Sequence, residues 1–267
     1  MIYVNSFVAY IDYLGFANYV NSNVRSPEKP LLLLDAFSSV TQMLNIEKQL
    51  KITAFSDNIV ISSKAPNITT DLKFNYEWLK FIVYINAVQM YVTTLSILPI
   101  RGGISYGGLY CKKKILFGES MNDAYALESA QAFYPRIVIN PRFINSDLEP
   151  ENRCHDVLHS TLLNLGDNPE EYKRKFPICR DFDNVLFCNY LSQTCDYSNN
   201  SWNHNAKDKL EQHKQFIVRC ISRTQNNINV NRKYSWMRNY HNWFCMPFKE
   251  FQDLLIPDDS SYTHQTL

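Results

Sequence analysis

The chain has 267 residues, 45% of them hydrophobic and 20% charged, enough apolar mass for one sizeable core with extensions. Its 27 basic and 26 acidic residues leave a net charge of +1, which excludes a global electrostatic pull toward nucleic acid or an anionic membrane. Seven cysteines without a CxxC pair, and an N-terminus that runs straight into MIYVNSFVAYID with no leader pattern, point to reduced thiols in a cytoplasmic protein.

In chain order, residues 3–12 predict a strand and Gly15 to about Val24 a short helix. PEKPLLLLDAFSSVTQMLNIEK (28–48) places Pro near its start and apolar residues at helical spacing, so it predicts a second helix. KITAFSDNIVISS (51–63) holds two β-rich runs split by Ser-Asp-Asn, the pattern of a tight hairpin. Residues 73–97 predict a long helix ending before Pro99. The apolar run 81–100 within it is interrupted by Asn86 and Gln89, which favours a buried helix over a membrane span.

IRGGISYGGLYCKKKILFG (100–118) predicts a strand pair, 119–133 a helix and 135–140 a further strand. The Lys112-Lys113-Lys114 run reads as a solvated strand end. This mixed order with hairpins predicts an α/β (α+β) fold with a ferredoxin-like core, an antiparallel-containing mixed sheet and helices on one face. Beyond Asn140 the composition shifts toward Asn, Asp, Lys and aromatic residues. There 164–175 reads as a polar loop, 205–221 and 231–244 as helices, and 256–267 as a frayed tail. With no flexible linker, residues 1–140 form the core and 141–267 a mostly helical extension packed on it.

Two carboxylates stand out in this pattern. Asp12 ends the apolar strand of FVAYIDYLGF, and Asp57 sits at the turn of AFSDNIVIS. Taken singly, Asp12 reads as a helix cap and Asp57 as a turn residue. If strands 3–12 and 51–56 are neighbours, both carboxylates emerge at one sheet edge, where like charges need a cation between them or must share a proton. Oxygen-only ligands suit a divalent metal.

FVAYIDYLGF, ITAFSDNIVIS, IRGGISYGG and FGESMNDAYALESAQAFYPRIVI resemble, in order and spacing, the motifs of class III nucleotidyl cyclases. The resemblance covers roughly residues 5–140 and is closest to the Pycsar pyrimidine cyclases of bacterial anti-phage defence. It implies a class III cyclase core that binds two divalent cations, Mn²⁺ or Mg²⁺, through Asp12, Asp57 and the backbone carbonyl of Tyr13. It further implies that Gly15 and Phe16 cradle the triphosphate with backbone N–H groups, and that Asn122 positions the ribose or the reacting phosphate. The implied catalytic unit is a head-to-tail homodimer with active sites at the interface, the aspartates from one copy and the Asn-bearing helix from the other.

The sequence departs from the purine cyclases at three points. Their adenine-reading Lys and Asp are replaced by Thr53 and Ile115, which argues against ATP and leaves these two to contact a pyrimidine. Their transition-state Arg is replaced by Ala126, and Arg101 and Arg136 are the candidate phosphate contacts. The resemblance thus implies a lyase converting UTP to 3′,5′-cyclic UMP and pyrophosphate, with CTP to cyclic CMP as the alternative. The product would act on a downstream cyclic-nucleotide effector, without nucleic-acid or membrane partners. Ala126 keeps open a non-catalytic cyclase-like nucleotide-binding module.

Two weaker signals lie in the second half. CHDVLH offers Cys154, His155 and His159 at a zinc-like spacing but lacks a fourth ligand. KYSWMRNYHNWF (233–244) crowds five aromatic rings with Lys233 and Arg238, a pattern of base stacking or, at helical spacing, of core packing; the latter is favoured.

Overall fold

The computed structural model describes residues 3–43, 50–66, 72–95, 98–112, 115–141, 169–197 and 201–257. The zinc-like spacing at 154–159 and most of the tail lie outside the described residues.

The first strand, β1 (Val4–Tyr13), is central because both its faces are apolar. It pairs antiparallel with β3 (Asn58–Lys64) on one side and with β4 (Ile100–Lys112) on the other. Beyond β3 lies β2 (Lys51–Phe55), joined to it by the two-residue turn Ser56–Asp57, in which Ser56 takes the positive φ of 58°. Past β4, the sheet continues through β5 (Ile115–Gly118), antiparallel, and β6 (Ile137–Ile139), parallel. It is completed from the second half of the chain by the hairpin β7 (Ile178–Arg180) and β8 (Leu186–Cys188), with β8 on β6. These two strands were not legible in the sequence, and they make the C-terminal part continuous with the core sheet. A separate two-stranded ribbon pairs β9 (Cys195–Asp196) with β10 (Ser201–Trp202).

The period-2 alternation of β1 sorts the helices onto two faces, which corrects the one-faced arrangement expected from the sequence. Phe7, Ala9, Ile11 and Tyr13 pack with α2 (Glu28–Met43) and α3 (Leu72–Leu95). Val8 and Tyr10 pack with α4 (Glu119–Gln131) through Ala124. The approach of α4 is set by Gly103: a Cβ there would lie 2.2 Å from the Ala124 carbonyl oxygen and 2.7 Å from Leu127 Cβ. Its neighbour Gly102 serves the sheet instead, since a Cβ there would lie 2.4 Å from the Tyr10 carbonyl oxygen of β1.

Helix α3 is buried along most of its length, and the two polar residues that interrupt its apolar run are bonded. Asn86 donates to the Pro177 carbonyl at 2.8 Å and Gln89 to that of Pro135 at 3.2 Å. No helix among the described residues is long and apolar enough to cross a membrane. The segment expected as a polar loop contains a short helix, α5 (Pro169–Lys175), whose acidic first turn and basic last turn complement its dipole. A second core gathers around α6 (Ala206–Arg223) and α7 (Ile228–Cys245), and Met90 of α3 and Phe187 of β8 join it.

Candidate functional site

Register alone puts Asp12 between two polar neighbours: Asn58 opposite it on β3 and Arg101 opposite it on β4. Arg101 Nε donates to Asp12 Oδ2 at 3.2 Å, while another of its nitrogens lies 2.6 Å from Glu128 Oε1 of α4. The third, Nη1, donates to the Ala132 carbonyl at 3.3 Å. Asp57 precedes Asn58 in the hairpin turn and accepts from Asn58 Nδ2 at 3.3 Å. The Tyr10 hydroxyl donates to Asn58 Oδ1. Two strands and a turn thus bring both sequence-predicted aspartates to one edge of the sheet, with Arg101 among them.

Asp12 is largely desolvated, and burial pushes its carboxyl up to about 6. The charge and hydrogen bond of Arg101 oppose that rise, whereas Asp57 and Glu128 add to it. Burial, then the charges of Glu128 and Asp12, raise the Tyr10 hydroxyl to about 12, so it stays a donor. Lys233 of α7 lies close enough to feel the same cluster: burial and Arg101 lower its ammonium, and Asp12 opposes them.

Glu128 was missed in the sequence, and Lys233 was noted there only for the aromatic rings around it. Glu128 falls on the buried stripe of α4 with Ala124 and Leu127, a charge at an apolar position that is a usable signal. Nothing near Lys233 in the sequence links it to Asp12.

Among the described residues no group of three or more His, Cys, Asp or Glu side chains is disposed to hold a metal ion. The donor set at this edge is nevertheless of the kind that suits Mg²⁺ or Mn²⁺, which bind through one or two carboxylates and complete their shells with water and substrate phosphates. One arginine, Arg101, faces the carboxylates of Asp12 and Glu128 with Asp57 nearby, so the acids outnumber the cation. The residues present fit a divalent cation on those terms.

The remaining predicted residues fall into four groups. Tyr13 ends β1 with its ring buried, its hydroxyl donating to the Leu33 carbonyl at 2.9 Å and its face against Phe16. Gly15 takes the left-handed conformation (φ 88°) that starts the seven-residue helix α1 (Phe16–Ser22), directly after Asp12 and Tyr13. Thr53 lies on the α4 side of the sheet, across from Val60. Ile115 is exposed on β5, with β3, β1 and β4 between the two strands. Asn122 and Ala126 lie on the exposed face of α4. Arg136 is buried and turned away from Asp12: its guanidinium is held by Asp181 and Asp183 of the β7–β8 hairpin. Of the two candidate phosphate contacts, only Arg101 is at the aspartates.

No family model matches the chain, and no curated protein matches it. Among solved structures, a class III adenylyl cyclase-like ATP-binding protein from Pseudomonas aeruginosa is 17% identical, with a TM-score of 0.41 over 56% of this chain. That match spans only 36% of the other protein. The adenylyl cyclase CyaB from P. aeruginosa is 14% identical over 69% of this chain and 92% of its own, with a TM-score of 0.40. The guanylate cyclase domain of RhGC from Catenaria anguillulae, in complex with GTP, is 16% identical over 56% of this chain and 86% of its own, with a TM-score of 0.38.

Proposed function

We propose that the chain is a pyrimidine nucleotidyl cyclase converting UTP to 3′,5′-cyclic UMP and pyrophosphate, acting as a homodimer. The observation that carries this is the pair Asp12 and Asp57 at one sheet edge, with Arg101 the single arginine among the acids there. In the reaction, the ribose 3′-oxygen bonds to the α-phosphorus, the bond from that phosphorus to the bridging oxygen of the β-phosphate breaks, and the 3′-hydroxyl proton leaves to solvent.

Asp12, Asp57 and the Tyr13 carbonyl would hold the two divalent cations. Bound there, Mn²⁺ or Mg²⁺ lowers the pKa of the attacking hydroxyl and neutralises the leaving pyrophosphate. The chain's own contributions are positional and electrostatic. The Gly15–Phe16 turn would offer backbone N–H groups to the triphosphate, just after Asp12 and Tyr13. Arg101, already at Asp12, supplies the charge that Ala126 cannot. Asn122, exposed on α4, would serve a second copy across a two-fold axis, and Thr53 and Ile115 would contact the base. A pyrimidine reader in a bacterial cytoplasm suits an anti-phage signal passed to a downstream cyclic-nucleotide effector; cyclic CMP from CTP is the alternative product.

A second reading is favoured by one observation. Asp12 already has a cation in Arg101, which Glu128 also holds, so the chain would bind a nucleotide without turning it over. Incubation with each labelled nucleoside triphosphate and Mn²⁺, beside Asp57→Ala, separates the two. Cyclic UMP from the parent and none from the variant supports the enzyme. Triphosphate binding without any cyclic product supports the binding module, and equal turnover of all four overturns the pyrimidine assignment.

A further inference from the structure

Far along the chain from Asp12, a cavity of about 290 Å³ opens between α7 and the β7–β8 hairpin. Its wall is an aromatic ladder. The rings of Trp236 and Tyr240 are 13° from parallel with centroids 5.4 Å apart, and Trp243 continues the series at 18° and 6.1 Å. Phe187 meets Trp236 and Tyr240 edge-on, at 5.6 Å and 5.5 Å. Phe182 forms the lip at the tip of the hairpin, 75% exposed and fixed by the turn in which Asn184 has φ 65°. This run of rings has the spacing of a packed helix, yet part of it faces an open cavity.

The polar atoms of two wall rings are already used inside the protein. Trp236 Nε1 donates to Asp181 Oδ2 at 2.8 Å, and the Tyr240 hydroxyl donates to Asn189 Oδ1 at 2.6 Å. The ladder's faces are occupied too, Trp236 by Tyr134 and Trp243 by the Arg174 guanidinium. The cavity therefore offers ring edges and the exposed Phe182, with two polar side chains of the lining to read the edge of a flat ring: the Asn239 amide and the Arg180 guanidinium. Arg180 is steadied by Asn184, to whose side-chain oxygen its Nη1 donates at 3.1 Å.

Charge and size narrow the occupant. The lining carries one cation, Arg180, and one carboxylate, Asp181, so the mouth gives a triphosphate no advantage. The volume sits at the lower end of small-ligand sites, which run from roughly 300 to 1,000 Å³, and suits one flat heterocycle with a small substituent. Carbonyl and amino groups on that ring would meet both a guanidinium and an amide.

We propose that this cavity is a binding site for a nucleobase or nucleoside, separate from the edge that holds Asp12 and Asp57. The ring stacks against Phe182 and packs on the ring edges of the α7 ladder, and its hydrogen-bonding edge meets Asn239 and Arg180. The proposal does not rest on the cyclase reading, because the site needs neither metal nor triphosphate.

The test titrates the full chain, in EDTA, with uridine, cytidine, adenosine and guanosine, and with indole as a flat ring lacking a base edge. Calorimetry is read beside tryptophan fluorescence, because Trp236 and Trp243 are in the wall. Saturable binding of at least one nucleoside is expected, about tenfold weaker in Phe182→Ala and also weakened in Asn239→Ala, and unchanged in Asp57→Ala. Phe182 is exposed, so its removal leaves the core intact, and circular dichroism checks this. No saturable binding at millimolar nucleoside overturns the proposal. So does binding that Asp57→Ala removes and Phe182→Ala leaves alone, while equal affinity for indole overturns the nucleobase assignment.

Discussion

Arg101 and Asp12 face each other across the β1–β4 register, joined by a 3.2 Å Nε–Oδ2 contact, and the same guanidinium lies 2.6 Å from Glu128. One partly exposed arginine thus serves two carboxylates, one at the sheet edge and one in the buried stripe of α4. The carboxylates outnumber the cation, and Asp57 adds a third acidic charge within reach of Asp12.

Removing that cation leaves the acids facing one another. Arg101→Met is expected to lose about 2–3 kcal/mol of stability, less than for a fully buried pair because Arg101 is partly exposed. Mn²⁺ should restore more of the melting temperature in this variant than it adds to the parent, since the ion replaces the missing charge. Urea unfolding and thermal melts with and without Mn²⁺ read both; an unchanged midpoint with no Mn²⁺ response would refute the account.

Asp12 imposes a pH dependence of definite sign. Its carboxyl is raised from 3.8 to about 6 in the folded state, so the folded chain holds this proton more tightly than the unfolded one. Its contribution to stability is present below about pH 4 and is lost as pH rises through 6, a change of at most about 3 kcal/mol and smaller once solvent screening of this partly exposed group is counted. Asp12→Asn should therefore gain stability relative to the parent between pH 4 and pH 7. Mn²⁺ affinity, which needs the ionised carboxylate, should rise over the upper part of the same window. Calorimetric titrations at pH 5, 6 and 7 check this, and a flat affinity would count against Asp12 as a ligand.

The second core carries the opposite dependence. His213 Nδ1 and His241 Nδ1 are 3.0 Å apart in the buried contact between α6 and α7, with Tyr190 on the far nitrogen of His213 and the Leu254 carbonyl on that of His241. Burial lowers both, His241 to about 4. The unfolded state then binds more protons, so this stability is fully present above about 6.5 and is lost as pH falls toward 4, on the order of 3 kcal/mol for His241 alone. Trp202 and Trp236 fluorescence should report acid loosening of this core, and His241→Gln should flatten it. Equal acid midpoints for parent and variant would refute the assignment.

Two glycines make contrasting predictions. Gly103→Ala drives a Cβ to 2.2 Å from the Ala124 carbonyl, so α4 must shift with Glu128 on it, at a cost of about 3 kcal/mol or more. Gly15→Ala meets no atom within 4 Å but must hold φ 88°, at a cost of about 1 kcal/mol. Chemical denaturation of both variants should keep that order, with the larger loss of Asp12-dependent Mn²⁺ binding in Gly103→Ala.

Much of the core was legible in the sequence because its signals are local. The strand β1, the Ser56–Asp57 hairpin and helices α3 and α4 each follow from the period of their apolar residues, with boundaries displaced by a residue or two. The short strands β7 and β8 were not legible: three residues are too few for a period, and only pairing with β6 makes them strands. The one-sided helix arrangement failed for a related reason. Both faces of β1 are apolar, so alternation identified a buried strand without saying which helix covers which face.

The sequence by itself determined that Asp12 ends a strand and Asp57 sits in a hairpin turn, because strand length and turn position are set by neighbouring residues; that β3, and not the 51–56 strand, lies beside β1 was decided by the sheet. Only the tertiary structure decided where the cations go. Arg101 and Arg136 read alike in the chain, each beside a strand start, yet β4 carries Arg101 to Asp12 while the β7–β8 hairpin takes Arg136 with two carboxylates of its own. Charge neutralisation acts through space, across 89 residues for Arg101 and 45 for Arg136, and no local pattern encodes a partner at that distance.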